Sequence, residues 1–314
     1  MRSKAVYKFI LLTVFLVVAA TTVLMLLDIG DWWQEEEVAA SVTSDFPGVE
    51  EPAVLPSVEP VSDEPFNVLI LGLDHGNGRP EDGYERSDVV MIAHIDEANG
   101  RACLLSIPRD SYVSIPGSGS SRINDAYVRG GAELAVETVE QVTGMDIRNY
   151  IVLDFDEFEW LIDLFGGVQI TMEEPLNDPK VGYIPAGNQH LDGEHALMLA
   201  RSRDYGQGDL ERVRAQQRLL LQILYKGKEI AADPGAAWFL AVALNPLETN
   251  FTPDEVIRLA RQFATFPVVD VQGGVAPGRI SSVGGASVIL LDSTKLHELV
   301  RSIEENCFVP EEFR

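Results

Sequence analysis

The stretch FNVLILGLD, residues 66–74, is where a folded domain begins in this sequence. A short run of Val, Ile and Leu that ends in an aspartate is typical of a buried strand. Similar runs follow as SDVVMIAHID at 87–96 and RACLLSIPRD at 101–110. Three such runs in close succession predict a sheet, and a sheet with apolar faces needs other layers to cover it.

Downstream of these strands, helical and strand patterns follow one another without strict alternation. The sequence GAELAVETVEQVTG, residues 131–144, has helical spacing and ends in a glycine stop. Further elements are expected as a strand at 150–155, a helix at 156–167, a strand at 168–172, helices beginning near Asp192 and Asp209, a helix at 253–264, strands near 267–272 and 286–291, and a last helix at 293–303. The expected fold class is α/β, a mixed α+β arrangement with a central mixed β-sheet sandwiched by helices.

The N-terminus carries the pattern of a membrane anchor. Residues 9–27 contain no charge, and this run approaches the roughly 20 apolar residues that span a bilayer. It exceeds the roughly 7–15 residues of a cleaved signal's apolar region. Basic residues within 1–8 precede the run and acidic residues follow it, so the N-terminus is expected inside and residues 66–314 outside the cell membrane. Residues 28–65 are acidic and contain prolines, which predicts a linker.

Composition excludes some classes of function. The formal net charge is -25, which argues against nucleic-acid binding because phosphates need a basic face. The sequence has no GxxxxGK[ST] phosphate loop, HExxH helix or GxSxG turn. Cys103 and Cys307 have no metal-ligand spacing. Cys103 lies in an apolar run and is expected to be buried; whether the two cysteines pair in an oxidising compartment stays open.

Arginines nevertheless concentrate in one part of this acidic chain. Residues 200–218, ARSRDYGQGDLERVRAQQR, contain five of them. Arginine grips phosphate or carboxylate with a planar fork. Asp209, Arg212 and Gln216 have the spacing of one helix face. Spacing alone does not decide between an anion site and a surface helix whose ion pairs contribute little.

Other charged residues stand where predicted strands and helices end, which is where sheets often present functional groups. Asp74 ends the first strand, Arg86 and Asp88 open the second, and Arg109 and Asp110 end the third. Arg201 and Arg203 lie at the end of one helix, shortly before the helix that carries Arg212.

These motifs, taken together and in order, resemble the LytR-CpsA-Psr family. The matching strings are RSDVVM, LLSIPRDSYVSIPG, RINDAYVRGG, LDGEHALMLARSR and GDLERVRAQQ, within residues 66–230. The resemblance implies that residues 66–314 are the extracytoplasmic catalytic domain of a membrane-anchored phosphotransferase. Such an enzyme moves a glycopolymer from a polyprenyl-diphosphate carrier to peptidoglycan through a phosphodiester link.

The resemblance also implies roles for single residues. Catalytic roles fall on Arg86, Asp88, Arg109, Arg201 and Arg203, and the diphosphate ligands are Arg86, Arg109, Arg122, Arg201, Arg203, Arg212 and Gln216. Asp74 and Asp88 take the position that binds Mg²⁺, which prefers one or two carboxylates together with phosphate oxygens and water. The apolar segments 158–165 and 219–224 are candidates for lining a tunnel for the prenyl tail, although core packing explains each residue singly.

The sequence departs from the family pattern at two helices. Ala215 stands where the family often has an arginine, and Arg214 stands one residue earlier. A shift of one residue rotates a side chain by roughly 100° about a helix, so whether Arg214 replaces that arginine stays open. His195 stands where glutamine is common.

Two other functions compete with glycopolymer transfer. A pyrophosphatase or phosphatase acting on the same lipid would use the same site with water as the acceptor. A non-enzymatic envelope regulator is the second alternative, and the absence of a DNA-binding motif speaks against direct contact with DNA. The sequence does not identify the glycopolymer, the general base or the oligomeric state.

Overall fold

A mixed sheet of six strands forms the centre of the fold, and the stretch at 66–74 is one of its central strands. The structure is a computed structural model that describes residues 64–74, 86–96, 99–202, 209–231, 246–252, 254–256, 258–259 and 270–314. Its strands are β1 Phe66–Asp74, β2 Arg86–Asp96, β3 Arg101–Ser106, β4 Tyr112–Ile115, β5 Gly119–Arg122, β6 Asn149–Leu153, β7 Val168–Met172, β8 Leu176–Asp178, β9 Gly182–Ile184, β10 Gly187–Leu191, β11 Glu248–Thr249, β12 Asp270–Val275, β13 Gly278–Val283 and β14 Ala286–Leu291. Its helices are α1 Asp125–Thr143, α2 Phe155–Leu164, α3 Gly193–Arg201, α4 Asp209–Ala231 and α5 Ser293–Asn306, with a short 3-10 helix at Glu311–Phe313.

The strand order of the central sheet is β11-β6-β1-β2-β3-β12. The strand β1 pairs antiparallel with β2 and parallel with β6, and β3 pairs parallel with β12. Both orientations occur in one sheet, which confirms the predicted mixed sheet. The remaining described strands form four separate two-stranded sheets.

Side chains alternate between the two faces along each strand. Both faces of the sheet carry apolar residues, and helices cover both. On one face, Leu69 and Leu71 belong to a large core with residues from α1 and α5. On the other face, Met91 and Leu104 pack against Leu220 and neighbouring residues of α4. This arrangement confirms the predicted sandwich of helices around the sheet.

The helix α1 departs from its predicted start, whereas α3 begins where it was predicted to begin. The helix α1 begins six residues before the predicted Gly131, and its helical backbone is interrupted at Gly130 and Gly131. Gly131 has a φ of 67°, which glycine adopts readily because it has no Cβ atom. The helix α3 begins as predicted, since the side chain of Asp192 accepts a hydrogen bond from the His195 amide at 3.0 Å and caps the helix.

The N-terminal predictions concern residues that the structure does not describe. The predicted span at 9–27 and the linker at 28–65 lie outside the described residues, apart from Glu64 and Pro65. Among the helices that the structure describes, none is long and apolar enough to cross a membrane. The predicted helix at 253–264 is described only at 254–256 and 258–259, where it is helical.

Candidate active site

A cavity of about 700 Å³ lies between the central sheet and the helices α2, α3 and α4. Most of its wall is apolar. The sheet contributes residues such as Ile70 and Met91, which point away from the large core. The segments predicted at 158–165 and 219–224 both line the cavity, through Phe158, Leu161 and Phe165 and through Leu219, Leu220, Ile223 and Leu224. Both segments therefore contribute side chains to one apolar cavity.

Several polar side chains interrupt the apolar wall of the cavity. The predicted site residues found there are Asp74, Asp88, Arg201, Arg212 and Gln216. They come from the ends of two adjacent strands and from two consecutive helices. The fold thus brings together residues that are up to 142 positions apart, from 74 to 216, in the sequence.

A β-bulge explains how both aspartates reach the same cavity. Gly72 pairs with Val89 and Leu73 pairs with Ser87, so Asp88 is the extra residue on β2. A bulge of this kind redirects a side chain that regular alternation would send to the other face. As a result, Asp88 lines the cavity together with its neighbour Val89.

Asp88 has charged neighbours of both signs. It forms an ion pair with the guanidinium of Arg109, and the side chains of the two residues are 23% and 18% exposed. Burial raises the pKa of Asp88 above the ordinary aspartate value, and nearby Asp74 acts in the same direction. The charges of Arg109 and Arg212 oppose this rise. The carboxylate of Asp88 therefore sits in a partly dehydrated site where cations stabilise its charge.

Arg212 is the most enclosed of the candidate diphosphate ligands that the structure describes. It is 6% exposed and lines both the main cavity and a small adjoining one that Asp88 and Arg109 also line. Charges in such a position are screened much less by solvent and salt than surface charges. An anion entering the cavity would therefore feel the charge of Arg212 strongly.

Two glutamines of the predicted arginine helix fix its position. The Nε2 atom of Gln216 donates to the carbonyl of Ala200 at 3.1 Å, next to Arg201. The Nε2 atom of Gln217 donates to the Ser106 hydroxyl and to the Gly274 carbonyl, each at 3.0 Å. These contacts hold α4 against the end of α3 and against the sheet. Gln217 was not among the predicted site residues, because its contacts involve strands distant in sequence.

Arg201 extends over an aromatic ring at the cavity wall. Its guanidinium carbon lies 4.5 Å from the centroid of the Phe155 ring, and both residues line the cavity. Stacking on a ring restrains the guanidinium while leaving its N–H groups able to donate.

Arg109 is part of a series of alternating positive and negative side chains that leads away from the cavity. Its Nε atom lies 3.8 Å from a carboxylate oxygen of Asp110, and Arg122 lies 3.3 Å from the other oxygen. Arg122 also donates to the carbonyl of Ser287 at 2.8 Å. Arg122 does not line the cavity, but the series connects it to Asp88 through one carboxylate, that of Asp110, and one guanidinium, that of Arg109.

Three predicted ligands among the described residues, Arg86, Arg109 and Arg122, do not line the main cavity, and of these Arg109 lines the small adjoining one. The Arg86 side chain is 60% exposed, and its Nε atom lies 3.6 Å from Asp125. Its backbone pairs with that of Asp74 across the strands, so Arg86 is near the site and directed toward Asp125. Arg203 lies outside the described residues.

The departure at Ala215 has a structural explanation. Ala215 is fully buried in the second core, between α3, α4 and β7, where a long charged side chain has no room. Arg214 points elsewhere: it lies 2.6 Å from Glu211 and donates to the carbonyl of Arg314 at 3.0 Å. Arg214 therefore does not take the place of an arginine at 215.

The cavity wall includes charged residues that the sequence did not single out. Asp154 caps α2, and its side chain accepts a hydrogen bond from the Glu157 amide at 2.8 Å. Asp178 is buried and accepts a hydrogen bond from the Ser202 hydroxyl at 3.0 Å, and Lys180 lies two positions after it. All three line the cavity. Lysine is rare in this chain, which has only six, and this rarity is the one feature of the sequence that could have drawn attention to Lys180.

The chain is similar to a known protein family and to curated members of it. Residues 35–305 match the model of the LytR_cpsA_psr family. The probable cell wall biosynthesis protein LcpB of Corynebacterium glutamicum is 37% identical over 190 residues, which is 60% of this chain and 42% of LcpB. The polyisoprenyl-teichoic acid–peptidoglycan teichoic acid transferase TagU of Bacillus cereus is 32% identical over 203 residues, which is 64% of this chain and 65% of TagU. This chain thus covers less than two thirds of the length of either relative.

A solved structure shares the fold. The LytR-CPS2A-psr family protein YwtF (TagT), with bound octaprenyl pyrophosphate lipid, superposes with a TM-score of 0.61 at 25% identity. The superposition covers 79% of this chain and 92% of that protein. A family model that matches most of the sequence and a shared fold lead to one conclusion: this chain belongs to the LytR-CpsA-Psr family.

Proposed function

We propose that this protein is a phosphotransferase that moves a glycopolymer from a polyprenyl-diphosphate carrier to peptidoglycan through a phosphodiester link. The observation that carries this proposal is the apolar cavity of about 700 Å³ whose wall also holds Arg201, Arg212, Asp74 and Asp88. A polyprenyl diphosphate has the same two parts, an apolar tail and a polyanionic head. TagT with octaprenyl pyrophosphate and the name of TagU support the same ligand and reaction.

The chemistry follows from where the charges lie. An acceptor hydroxyl of peptidoglycan gives its proton to a base and attacks the phosphorus that carries the glycopolymer, the bond from that phosphorus to the bridging oxygen breaks, and polyprenyl phosphate leaves with that oxygen. Negative charge develops on the leaving phosphate, and fixed cations such as Arg201 and Arg212 stabilise it. Because Arg212 is 6% exposed, little reorganisation of water accompanies this step.

A divalent cation, expected to be Mg²⁺, belongs to the same proposal. Within the described residues no group of three or more His, Cys, Asp or Glu side chains could hold a metal. Two neighbouring carboxylates, Asp74 and Asp88, fit an ion that draws its other ligands from phosphate and water. When bound, Mg²⁺ would neutralise charge on the diphosphate. Asp88 would then share its carboxylate between the ion and Arg109.

The proposed location places the domain beside its substrate. A span at residues 9–27 with the N-terminus inside would put residues 66–314 on the outer side of the cell membrane. The prenyl tail of the carrier is in that membrane and peptidoglycan is outside it. The expected linker at 28–65 would let the domain contact both the membrane and the peptidoglycan.

The test is a transfer assay with purified protein, a lipid-diphosphate-linked glycopolymer and Mg²⁺, with and without peptidoglycan. The proposal expects glycopolymer to appear on peptidoglycan in a phosphodiester link, in equal amount to released polyprenyl phosphate. Release of phosphate products at the same rate without peptidoglycan would mean a pyrophosphatase or phosphatase instead. Binding of the lipid with no product in either condition would favour a non-enzymatic regulator.

A further inference from the structure

Two cysteines from opposite ends of the domain meet inside the large core. Cys103 lies in β3 and is fully buried, and Cys307 directly follows α5 and is 4% exposed. They are 204 positions apart in sequence, yet their Sγ atoms lie 2.6 Å from each other. Non-bonded heavy atoms pack at about 3.5–4.0 Å, so the fold holds these thiols closer than ordinary packing does.

The backbone at Cys307 is unusual in a way that serves this contact. Among the described residues, Cys307 is the only residue other than glycine with a positive φ, at 42°. A left-handed conformation at this position normally favours glycine. Its amide donates to the carbonyl of Ile303 at 2.7 Å and ends the helix. The conformation that ends α5 thus also directs a side chain into the core, where it meets Cys103.

The residues after Cys307 contact the elements that carry the candidate active site. The amide of Val309 and the guanidinium of Arg314 both donate to the side-chain oxygen of Gln272 in β12, at 2.9 and 3.0 Å. The carbonyl of Arg314 accepts a hydrogen bond from Arg214 of α4. The strand β3, which contains Cys103, leads directly to Arg109. A link at Cys307 would therefore fasten this C-terminal segment to the framework of the site.

We propose that Cys103 and Cys307 form a structural disulfide in the exported protein, joining the end of α5 to the central sheet. The proposal rests on the outward location given under the proposed function, because such bonds persist in oxidising compartments. The two thiols lose two protons and two electrons as the S–S bond forms. The electrons pass by thiol–disulfide exchange to the protein disulfide of an extracytoplasmic thiol oxidoreductase, which becomes a dithiol.

Burial sets the order of events. Neither thiol is accessible once α5 has docked, so oxidation takes place while the C-terminal segment is still folding onto the sheet. The same burial then shields the finished bond from thiolates, which must reach a sulfur atom to reduce it. The bond acts as a permanent staple.

The decisive measurement is peptide mapping of full-length protein exported by its host and alkylated during denaturing lysis. The expected result is a single peptide pair joined through Cys103 and Cys307, with neither thiol alkylated. Reduction under mild denaturation should lower the Tm of the wild-type protein by roughly 5–15 °C. The Cys103→Ala/Cys307→Ala variant should show no such response to reductant, because it has no bond to break. Quantitative alkylation of both thiols in the exported wild-type protein would overturn the proposal.

The transfer assay separates this proposal from the proposed function. Neither cysteine lines the cavity, so the double alanine variant is expected to transfer glycopolymer at the wild-type rate at temperatures well below its Tm. Transfer by a protein whose thiols are both free would overturn the disulfide alone. A joined peptide pair in a protein that transfers nothing would overturn the transferase alone.

Discussion

Replacing Arg212 by lysine tests how much the planar guanidinium of this buried residue contributes to the rate of the proposed transfer reaction. Arg212 is 6% exposed, lines the cavity and acts on the charge of Asp88. Lysine keeps the positive charge but lacks the planar pair of donors. A charge-assisted hydrogen bond contributes about 1.5–3 kcal/mol, and about 1.4 kcal/mol corresponds to a factor of ten in rate. The loss of one such bond predicts a fall in kcat/KM of roughly ten- to a hundredfold.

The matched control is Arg214→Lys on the same helix. Arg214 is partly exposed and contacts Glu211 and the carbonyl of Arg314 away from the cavity. Such ion pairs contribute about 0–1 kcal/mol, so this variant should keep nearly all of its activity. Initial rates of transfer from the lipid-linked glycopolymer would be compared at saturating peptidoglycan, after thermal melts have shown that both variants are folded. Equal losses in the two variants, or an unchanged rate in Arg212→Lys, would refute the placing of the diphosphate.

Four other outcomes are expected. Chelation of divalent cations should abolish transfer, Mg²⁺ should restore it, and the Asp74→Asn variant should need more Mg²⁺ for half-maximal rate; a wild-type rate in chelator would exclude the metal. Burial raises the pKa of Asp88 in the metal-free protein, so NMR of the Asp88 carboxyl without Mg²⁺ should show protonation as pH falls through a value above the ordinary aspartate range; protonation only within that ordinary range would contradict this burial. Ile223→Trp should fill the cavity and lower transfer roughly tenfold or more, while Ile280→Trp at an 82% exposed position should not; a similar effect of both would disconnect the cavity from the substrate. Protease added to intact protoplasts should remove residues 66–314, and survival of the domain until lysis would reverse the proposed orientation.

The core strands and helix starts were predictable because they depend on local signals. The run at 66–74 forms β1, and the run at 168–172 forms β7 with the predicted bounds. Asp192 signals its helix through a side chain that caps its own backbone. The short hairpin of β4 and β5 was not predicted, because strands of four residues carry too few side chains for a periodic pattern.

Five of the predicted site residues line the cavity, but the sequence did not predict how their side chains reach it. Asp88 reaches the cavity through a bulge that depends on how β2 pairs with β1, which the sequence of β2 alone does not reveal. Arg86 turns toward Asp125, a residue on a separate helix. Asp178 and Lys180 line the cavity from a region of short strands whose place is set only by tertiary packing. Contacts between distant segments therefore account for the side-chain directions that the sequence did not predict.

The central claim is that one cavity holds both ends of a polyprenyl diphosphate. A crystal structure of the protein with geranylgeranyl diphosphate and Mg²⁺ tests it most directly. The expected complex has the prenyl chain among apolar wall residues such as Phe158 and Ile223, and the diphosphate within hydrogen-bond distance of Arg201 and Arg212. A prenyl chain bound outside this cavity, or a diphosphate held away from both arginines, would contradict the account.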